Sequence, residues 1–210
     1  MRLPRGAERR GLRAELEAYL HSQPERRAAI ERLLDLLELP GDVFSRAHLD
    51  PGHFTASAFV VCPERRRLLL IRHPKLGRWL QPGGHIEPAD AGCLAAARRE
   101  VSEETGVAEL VPLGAELAGG AQGIFDVDVH AIPANPREGA HAHFDVRYAF
   151  EARTDQLTVS DEVKAARWVE LEAVAALNDE ESIARPVRAL LGARAVPEKI
   201  SLLSSSPGPR

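Results

Sequence analysis

Three glutamates stand close together in the segment Arg99-Glu100-Val101-Ser102-Glu103-Glu104, which has a helical pattern. At about 100° per residue, Glu103 and Glu104 lie about 60° and 40° to either side of Glu100, so the three carboxylates share one face. Like charges at this spacing repel one another and destabilise a helix. A hard divalent cation with oxygen ligands offsets such repulsion, and a solvated acidic face is the alternative. A solvated acidic face is the commoner outcome for glutamates at this spacing, and the residues around the three acids are what favour a site for a divalent cation such as Mg²⁺ or Mn²⁺.

The residues around the acids predict a loop followed by a helix. Gln81-Pro82-Gly83-Gly84 follows an apolar, strand-like run and allows a close backbone approach. Asp90 is the predicted N-cap of the helix, and Ala97 and Val101 recur at helical spacing beside the acids. Gly106 is the predicted left-handed C-cap. One helix face would pack on the core while the neighbouring face carries the carboxylates.

This stretch resembles the signature of the Nudix hydrolases, which reads Gly, five residues, Glu, seven residues, Arg-Glu-apolar-x-Glu-Glu-x-Gly-apolar. The sequence matches at Gly84 and again without a gap over 99–107. It departs where Asp90 replaces the first glutamate and where one extra residue separates that position from Arg99. The resemblance implies an α/β/α sandwich with a mixed sheet, and hydrolysis of a diphosphate linkage with a divalent metal.

The motif residues have different predicted roles. Glu100 and Glu104, at positions i and i+4, are the most nearly parallel pair and the leading metal ligands. Glu103 is a third ligand or the base that activates water, and Arg99, four residues before it, is expected to hold its carboxylate in place. The resemblance implies that the carbonyl of Gly84 is a further ligand.

Other charged residues are candidates for the same site. Glu162, in a loop before the last predicted strand, is either a further ligand or base, or a solvated acid. Cations just before the glycine loop, and the histidine after it, are candidates for holding substrate phosphates. These residues are Arg72, Lys75, Arg78 and His85.

His141 and His143 alternate along a predicted strand, which is also compatible with metal binding. Two histidines without a third ligand nearby in the sequence are more typical of an ordinary surface. We therefore interpret this pair as surface residues.

Composition places limits on partners and compartment. The net charge of −4 provides no general attraction for nucleic acid or an anionic membrane. No apolar run approaches the length of about 18 residues expected of a membrane span. Cys62 and Cys93 are expected to be buried thiols rather than a disulfide, which favours a cytoplasmic protein.

The chain divides into three predicted parts. Residues 1–50 form a helical extension that covers the core, forms a homodimer or shapes a pocket; residues 51–195 form the Nudix domain; and residues 196–210 form a disordered tail. Strands are predicted over 54–62, 68–72, 109–117, 125–132, 143–152 and 167–170, with further helices starting near 171 and 183. Strands followed and interrupted by helices predict an α/β sandwich.

The predicted activity is metal-dependent hydrolysis of a nucleoside diphosphate derivative. Marker residues that some relatives carry for ADP-ribose, dinucleoside polyphosphates or coenzyme A are missing, and this elimination favours a nucleoside triphosphate or related nucleotide. Two alternatives stay open: a non-catalytic nucleotide sensor of the same fold, and an isomerase of isoprenoid diphosphates, which would need a catalytic cysteine such as Cys62.

Overall fold

The computed structural model describes residues 5–113, 123–161 and 163–194, and its centre is one sheet. Within these described residues, eight strands form the sheet: β1 Gly52–Val61, β2 Arg67–Arg72, β3 Trp79–Leu80, β4 Gly83–His85, β5 Leu110–Pro112, β6 Asp126–Ile132, β7 His141–Ala152 and β8 Ala166–Glu170. The same part of the chain contains four α-helices: α1 Arg5–Ser22, α2 Arg27–Glu38, α3 Cys93–Thr105 and α4 Glu181–Arg194.

The sheet is mixed because its two longest strands run parallel. β1 and β7 pair in register from Gly52 opposite Ala142 to Val61 opposite Glu151. The other strand pairs are antiparallel: β1 with β2 and β4, β2 with β3 and β8, and β7 with β5 and β6. The short strand β4, called the glycine strand below, carries the glycine pair Gly83 and Gly84 and lies directly beside the middle of β1.

Side chains alternate between the two faces of β1, and each face meets a different layer of helices. Phe54, Ala56 and Val60 belong to the same core as the apolar residues of α1, α2 and α3. Phe59 and Val61 belong to a second core, to which α4 contributes. The sheet therefore lies between two helical layers, which confirms the predicted α/β/α sandwich.

The two N-terminal helices cover the sheet. Leu16 on α1 and Leu33 on α2 are fully buried in the core that includes Phe54. Polar contacts tie the same helices to the strands, since the hydroxyl of Tyr148 donates to Glu15 at 3.0 Å. The predicted helical extension is confirmed, and the structure shows it packed on the core.

Of the two predicted caps of α3, the C-cap is confirmed and the N-cap is wrong. Gly106 has φ 74° and ψ 0°, so the expected left-handed C-cap is present. Asp90 is not the N-cap, because α3 begins at Cys93 and Gly92 is its N-cap without a side-chain hydrogen bond. The segment Leu171–Ala176 is a 3₁₀ helix rather than the start of an α-helix. The predicted disordered tail lies outside the described residues.

Both cysteines are buried free thiols, as expected. Within residues 5–113, 123–161 and 163–194, the helices lack the combination of length and apolar character needed to cross a membrane.

Replacing a buried leucine of α2 tests the packing of the extension. We expect Leu33→Ala to lower the free energy of unfolding by about 2–5 kcal/mol, because it removes buried methyl groups and leaves a cavity. Leu76→Ala is the matched control, since Leu76 is 60% exposed and should change stability by less than about 0.5 kcal/mol. Urea unfolding of both variants measures the difference, and equal stabilities would contradict the packing of α2 on the core.

Candidate active site

Two of the three motif acids are buried where α3 passes the glycine strand. Glu100 and Glu104 are 9% and 7% exposed, although they are glutamates on a helix. The side chain of Glu103 is 45% exposed. Because residues four apart lie on one helix face, the buried pair points towards β4 while Glu103 faces the solvent side.

The glycine pair permits a very close approach between strand and helix. A Cβ atom at Gly84 would lie 2.5 Å from Oε1 of Glu100, closer than side-chain atoms tolerate. The backbone N–H of Gly83 donates to Oε2 of Glu104 at 3.1 Å. The two buried carboxylates therefore lie directly against the backbone of the glycine pair.

Arg99 lies between two of the acids. Its Nη1 donates to Glu100 at 3.0 Å and to Glu103 at 2.7 Å. One guanidinium thus partly offsets the repulsion between these carboxylates, so the repulsion alone does not require a metal ion. The contact between Arg99 and Glu103 is present, and its part in catalysis stays a prediction.

Asp90 holds Arg99 from the opposite side. Its carboxylate accepts hydrogen bonds from Nε and Nη2 of Arg99, each at 3.0 Å, and from the N–H of Glu87 at 2.7 Å. Nη2 also donates to the carbonyl of His85 at 2.8 Å. Burial by itself lowers the pKa of Arg99, but the hydrogen bonds to Asp90 and Glu103 outweigh it and raise that pKa, so the guanidinium stays charged.

The role of Asp90 was missed because it depends on the path of a loop. The carboxylate is 7% exposed and reaches Arg99 across nine positions of sequence. Helical periodicity carries no information about such a contact. The available signal was chemical: an acid stands at the corresponding place in the signature.

The other predicted site residues are more scattered. Arg72 and Lys75 are exposed, and Arg78 donates to Glu180 at 2.7 Å. Glu162 lies outside the described residues. None of these placements tests a contact with substrate.

His85 lies among other histidines. Its ring centroid is 5.1 Å from that of His53 and 5.2 Å from that of His143. Burial, together with the neighbouring charges, lowers the pKa of His85 to about 4. The imidazole is therefore neutral at pH 7 and offers a phosphate no positive charge.

A buried polar network next to the glycine strand was also missed. Asp145 on β7 accepts hydrogen bonds from Thr55 at 3.0 Å, Ser57 at 2.7 Å and Arg147 at 2.9 Å. Ser57 in turn accepts from Gln81, just before the glycine pair, at 3.1 Å. The signal was the polar alternation within β1 and β7, which places these residues on one face of the sheet.

Arg147 anchors this network beneath α4. Its guanidinium donates to Asp126 at 3.1 Å and to the carbonyl of Ser182 at 2.6 Å. Arg185 on α4 also donates to Asp126, at 2.7 Å. Burial tends to lower the pKa of Arg147, but the surrounding aspartates raise it, so the buried charge is kept and balanced.

A family model and several solved structures resemble this chain. A model of the NUDIX domain matches residues 52–191. A NUDIX-family hydrolase from Clostridium perfringens is 27% identical, with a TM-score of 0.50, over 66% of this chain and 95% of that one. The NUDIX domain of Shewanella oneidensis NrtR, complexed with ADP ribose, is 19% identical, with a TM-score of 0.48, over 75% and 97%.

A third solved structure, the binary complex of a C. elegans Ap4A hydrolase, is 17% identical, with a TM-score of 0.49, over 68% of this chain and 97% of that one. A search of the curated proteins finds no match. The family model covers well over half of the sequence, including every motif residue discussed above. The chain therefore belongs to the NUDIX family and carries its pyrophosphohydrolase domain.

Proposed function

We propose that this chain is a divalent-metal-dependent hydrolase that cleaves a diphosphate linkage in a nucleotide, with nucleoside triphosphates as the favoured class. One observation carries the proposal: Glu100 and Glu104 are buried against the backbone of Gly83 and Gly84. Burying two carboxylates on one helix face costs free energy that a cation bound there would offset.

The residues at this place fit Mg²⁺ or Mn²⁺. The donors would be the carboxylates of Glu100 and Glu104, the carbonyl of Gly84 and, directly or through water, Glu103. All are hard oxygen ligands, which these ions prefer. The cradle at Gly84, which a Cβ would fill, supports the fit. When bound, the metal supplies positive charge that neutralises the phosphoryl oxygens during attack by water.

Side chains of the protein accept the proton from water and hold the proton acceptor in place. Glu103 is the exposed acid of the motif, so it is the best placed described residue to accept a proton from the attacking water. Arg99 orients that carboxylate, and Asp90 keeps the guanidinium from rotating away. Glu162 remains a second candidate for the base.

The substrate class rests on elimination. The segment past Gly106 in which some relatives carry a marker contains Ala121-Gln122-Gly123-Ile124-Phe125, with neither the proline nor the tyrosine marker. The segment before the glycine loop, Arg72-His73-Pro74-Lys75, does not resemble the coenzyme A marker. A nucleoside triphosphate or related nucleotide is the class that this elimination leaves.

The isomerase alternative loses support from the surroundings of Cys62. This thiol is fully buried in the turn between β1 and β2, where its sulfur accepts a hydrogen bond from the N–H of Arg67 at 3.3 Å. A thiol in that position has a structural role and cannot reach a substrate.

A hydrolysis panel tests the proposal directly. Nucleoside triphosphates, dinucleoside polyphosphates, ADP-ribose and nucleotide sugars are incubated with the protein and Mg²⁺ or Mn²⁺. We expect cleavage of the triphosphates, lost on chelation, and at least a hundredfold lower turnover in Glu100→Gln and Glu104→Gln, on the order of the loss of a key electrostatic group. Folding should survive in both variants, because removing like charge relieves repulsion.

Glu31→Gln is the matched control for the panel, because Glu31 is an exposed acid on α2 and should keep full activity. Cleavage that survives chelation, or near wild-type turnover in either site variant, would refute the metal assignment. Tight nucleotide binding without turnover would favour the sensor instead, and cleavage of ADP-ribose alone would refute the substrate class.

The glycine cradle gives a second test. Gly84→Ala should reduce turnover at least tenfold, because its Cβ would force the carboxylate of Glu100 to move. Gly192→Ala on α4 is the matched control, since its Cβ meets no atom within 4 Å and alanine favours a helix. Steady-state kinetics of the two variants give the comparison, and equal activity would exclude a tight fit at Gly84.

Asp90 gives a third test. Asp90→Asn should lower stability by about 1–3 kcal/mol, because it weakens charge-assisted hydrogen bonds to a part-buried arginine, and it should lower kcat through Glu103. Asp155→Asn, which weakens the exposed contact to Arg67, should change neither quantity appreciably. Urea unfolding and turnover are measured on both; an Asp90→Asn variant with unchanged kcat would show that Arg99 does not depend on Asp90 for its position.

A further inference from the structure

Five histidines collect on one face of the sheet, beside the glycine strand. They come from four strands: His53, His85, His130, His141 and His143. The parallel register places His53 directly opposite His143, and strand alternation puts His141 on the same face. Ring centroids in this trio are 4.9 to 5.3 Å apart. Such a cluster places several polar rings where aliphatic side chains would normally pack.

Backbone carbonyls orient two of the three rings. Nδ1 of His53 is 3.1 Å from the carbonyl of His48, and Nδ1 of His141 is 2.8 Å from the carbonyl of Gly139. Because a carbonyl only accepts, Nδ1 carries the proton in each ring and Nε2 keeps its lone pair. Histidines that bind metals are held in this way, with the second nitrogen bound to a carbonyl or carboxylate.

The lone pair of His53 has no hydrogen-bond donor. Its Nε2 is buried and without a hydrogen-bond partner, and the residue is 1% exposed. A buried acceptor left unsatisfied costs about 1–3 kcal/mol. One ring nitrogen from each of His53, His141 and His143 can be chosen so that the three lie within 4.8 Å of one another. A cation bound through Nε2 of His53 would use the lone pair that the protein leaves unpaired.

We propose that His53, His141 and His143 form a transition-metal site, with Zn²⁺ the ion that fits best. Three imidazole nitrogens favour zinc and its neighbours over magnesium, which prefers oxygen. With zinc–nitrogen bonds of about 2.0–2.1 Å, two ligand nitrogens of a tetrahedral ion are about 3.4 Å apart. The chosen histidine nitrogens lie within 4.8 Å of one another, so each pair needs to close by at most about 1.4 Å.

This site is distinct from the carboxylate site in ligands and in chemistry. It joins β1 to β7 through side chains, and its neighbour His85 directly follows Gly84. Bound zinc would therefore brace the strands next to the glycine pair.

Zinc binding to the full chain tests the proposal. Protein freed of metal with a chelator is titrated with ZnCl₂ in competition with a chromophoric chelator, using Glu104→Gln so that the carboxylate site is weakened. We expect one zinc ion per chain, and at least about tenfold weaker binding after adding His53→Gln or His141→Gln. His21→Gln, which alters an exposed histidine on α1, should leave the affinity unchanged.

A spectroscopic measurement covers the case in which a histidine variant does not fold. Co²⁺ added to the Glu104→Gln protein should give the intense visible absorption of a tetrahedral, nitrogen-bound ion, which ZnCl₂ then abolishes. The weak absorption of octahedral cobalt would overturn the proposal. Zinc affinity equal in folded His53→Gln and in its parent would overturn it too.

Discussion

The guanidinium of Arg99 is the interaction on which the site depends. It binds Asp90 through two nitrogens, contacts Glu100 and Glu103 through a third, and reaches the carbonyl of His85. One charged group thereby connects the loop, the glycine strand and the acidic helix. Without it, the repulsion among the carboxylates at the C-terminal end of α3 would be larger, and Glu103 would lose the hydrogen bond that orients it.

The parallel strands β1 and β7 form one face of the sheet together, the face that carries the histidines and the network around Asp145. Residues opposite each other along the pair change in character from one end to the other. Histidines come first, the hydrogen-bonded network around Asp145 follows, and the apolar core beneath α4 comes last. The apolar half of this face packs in the core and stabilises the fold, whereas the polar half carries the side chains that could bind ligands. The glycine strand pairs with β1 beside the polar half.

Local sequence patterns predicted most of the helices and strands. They failed where the position of a side chain depends on contacts with residues outside its own helix or strand. The strand at β1, the helix at α3 and the C-cap at Gly106 follow from periodicity and glycine chemistry alone. The proposed ligand roles of Glu100 and Glu104 rest on helical spacing and on the family resemblance, and they stay a prediction. Asp90 was assigned to a helix cap because its true partner lies across a loop.

The histidine cluster also depends on contacts that local sequence patterns do not predict. His141 and His143 were interpreted as surface residues because no third ligand stood nearby in the sequence. His53 is that third residue, and only the register of a parallel strand pair brings it to them. Spacing within one strand is readable from sequence, whereas pairing between strands so far apart along the chain is not.

We propose that the buried acids of α3, rather than the histidines, hold the metal ion that hydrolysis requires. A crystal soaked in MnCl₂, with anomalous difference density collected for manganese, tests this most directly. We expect density against Glu100, Glu104 and the carbonyl of Gly84. Density at the histidines with none at the acids would contradict it.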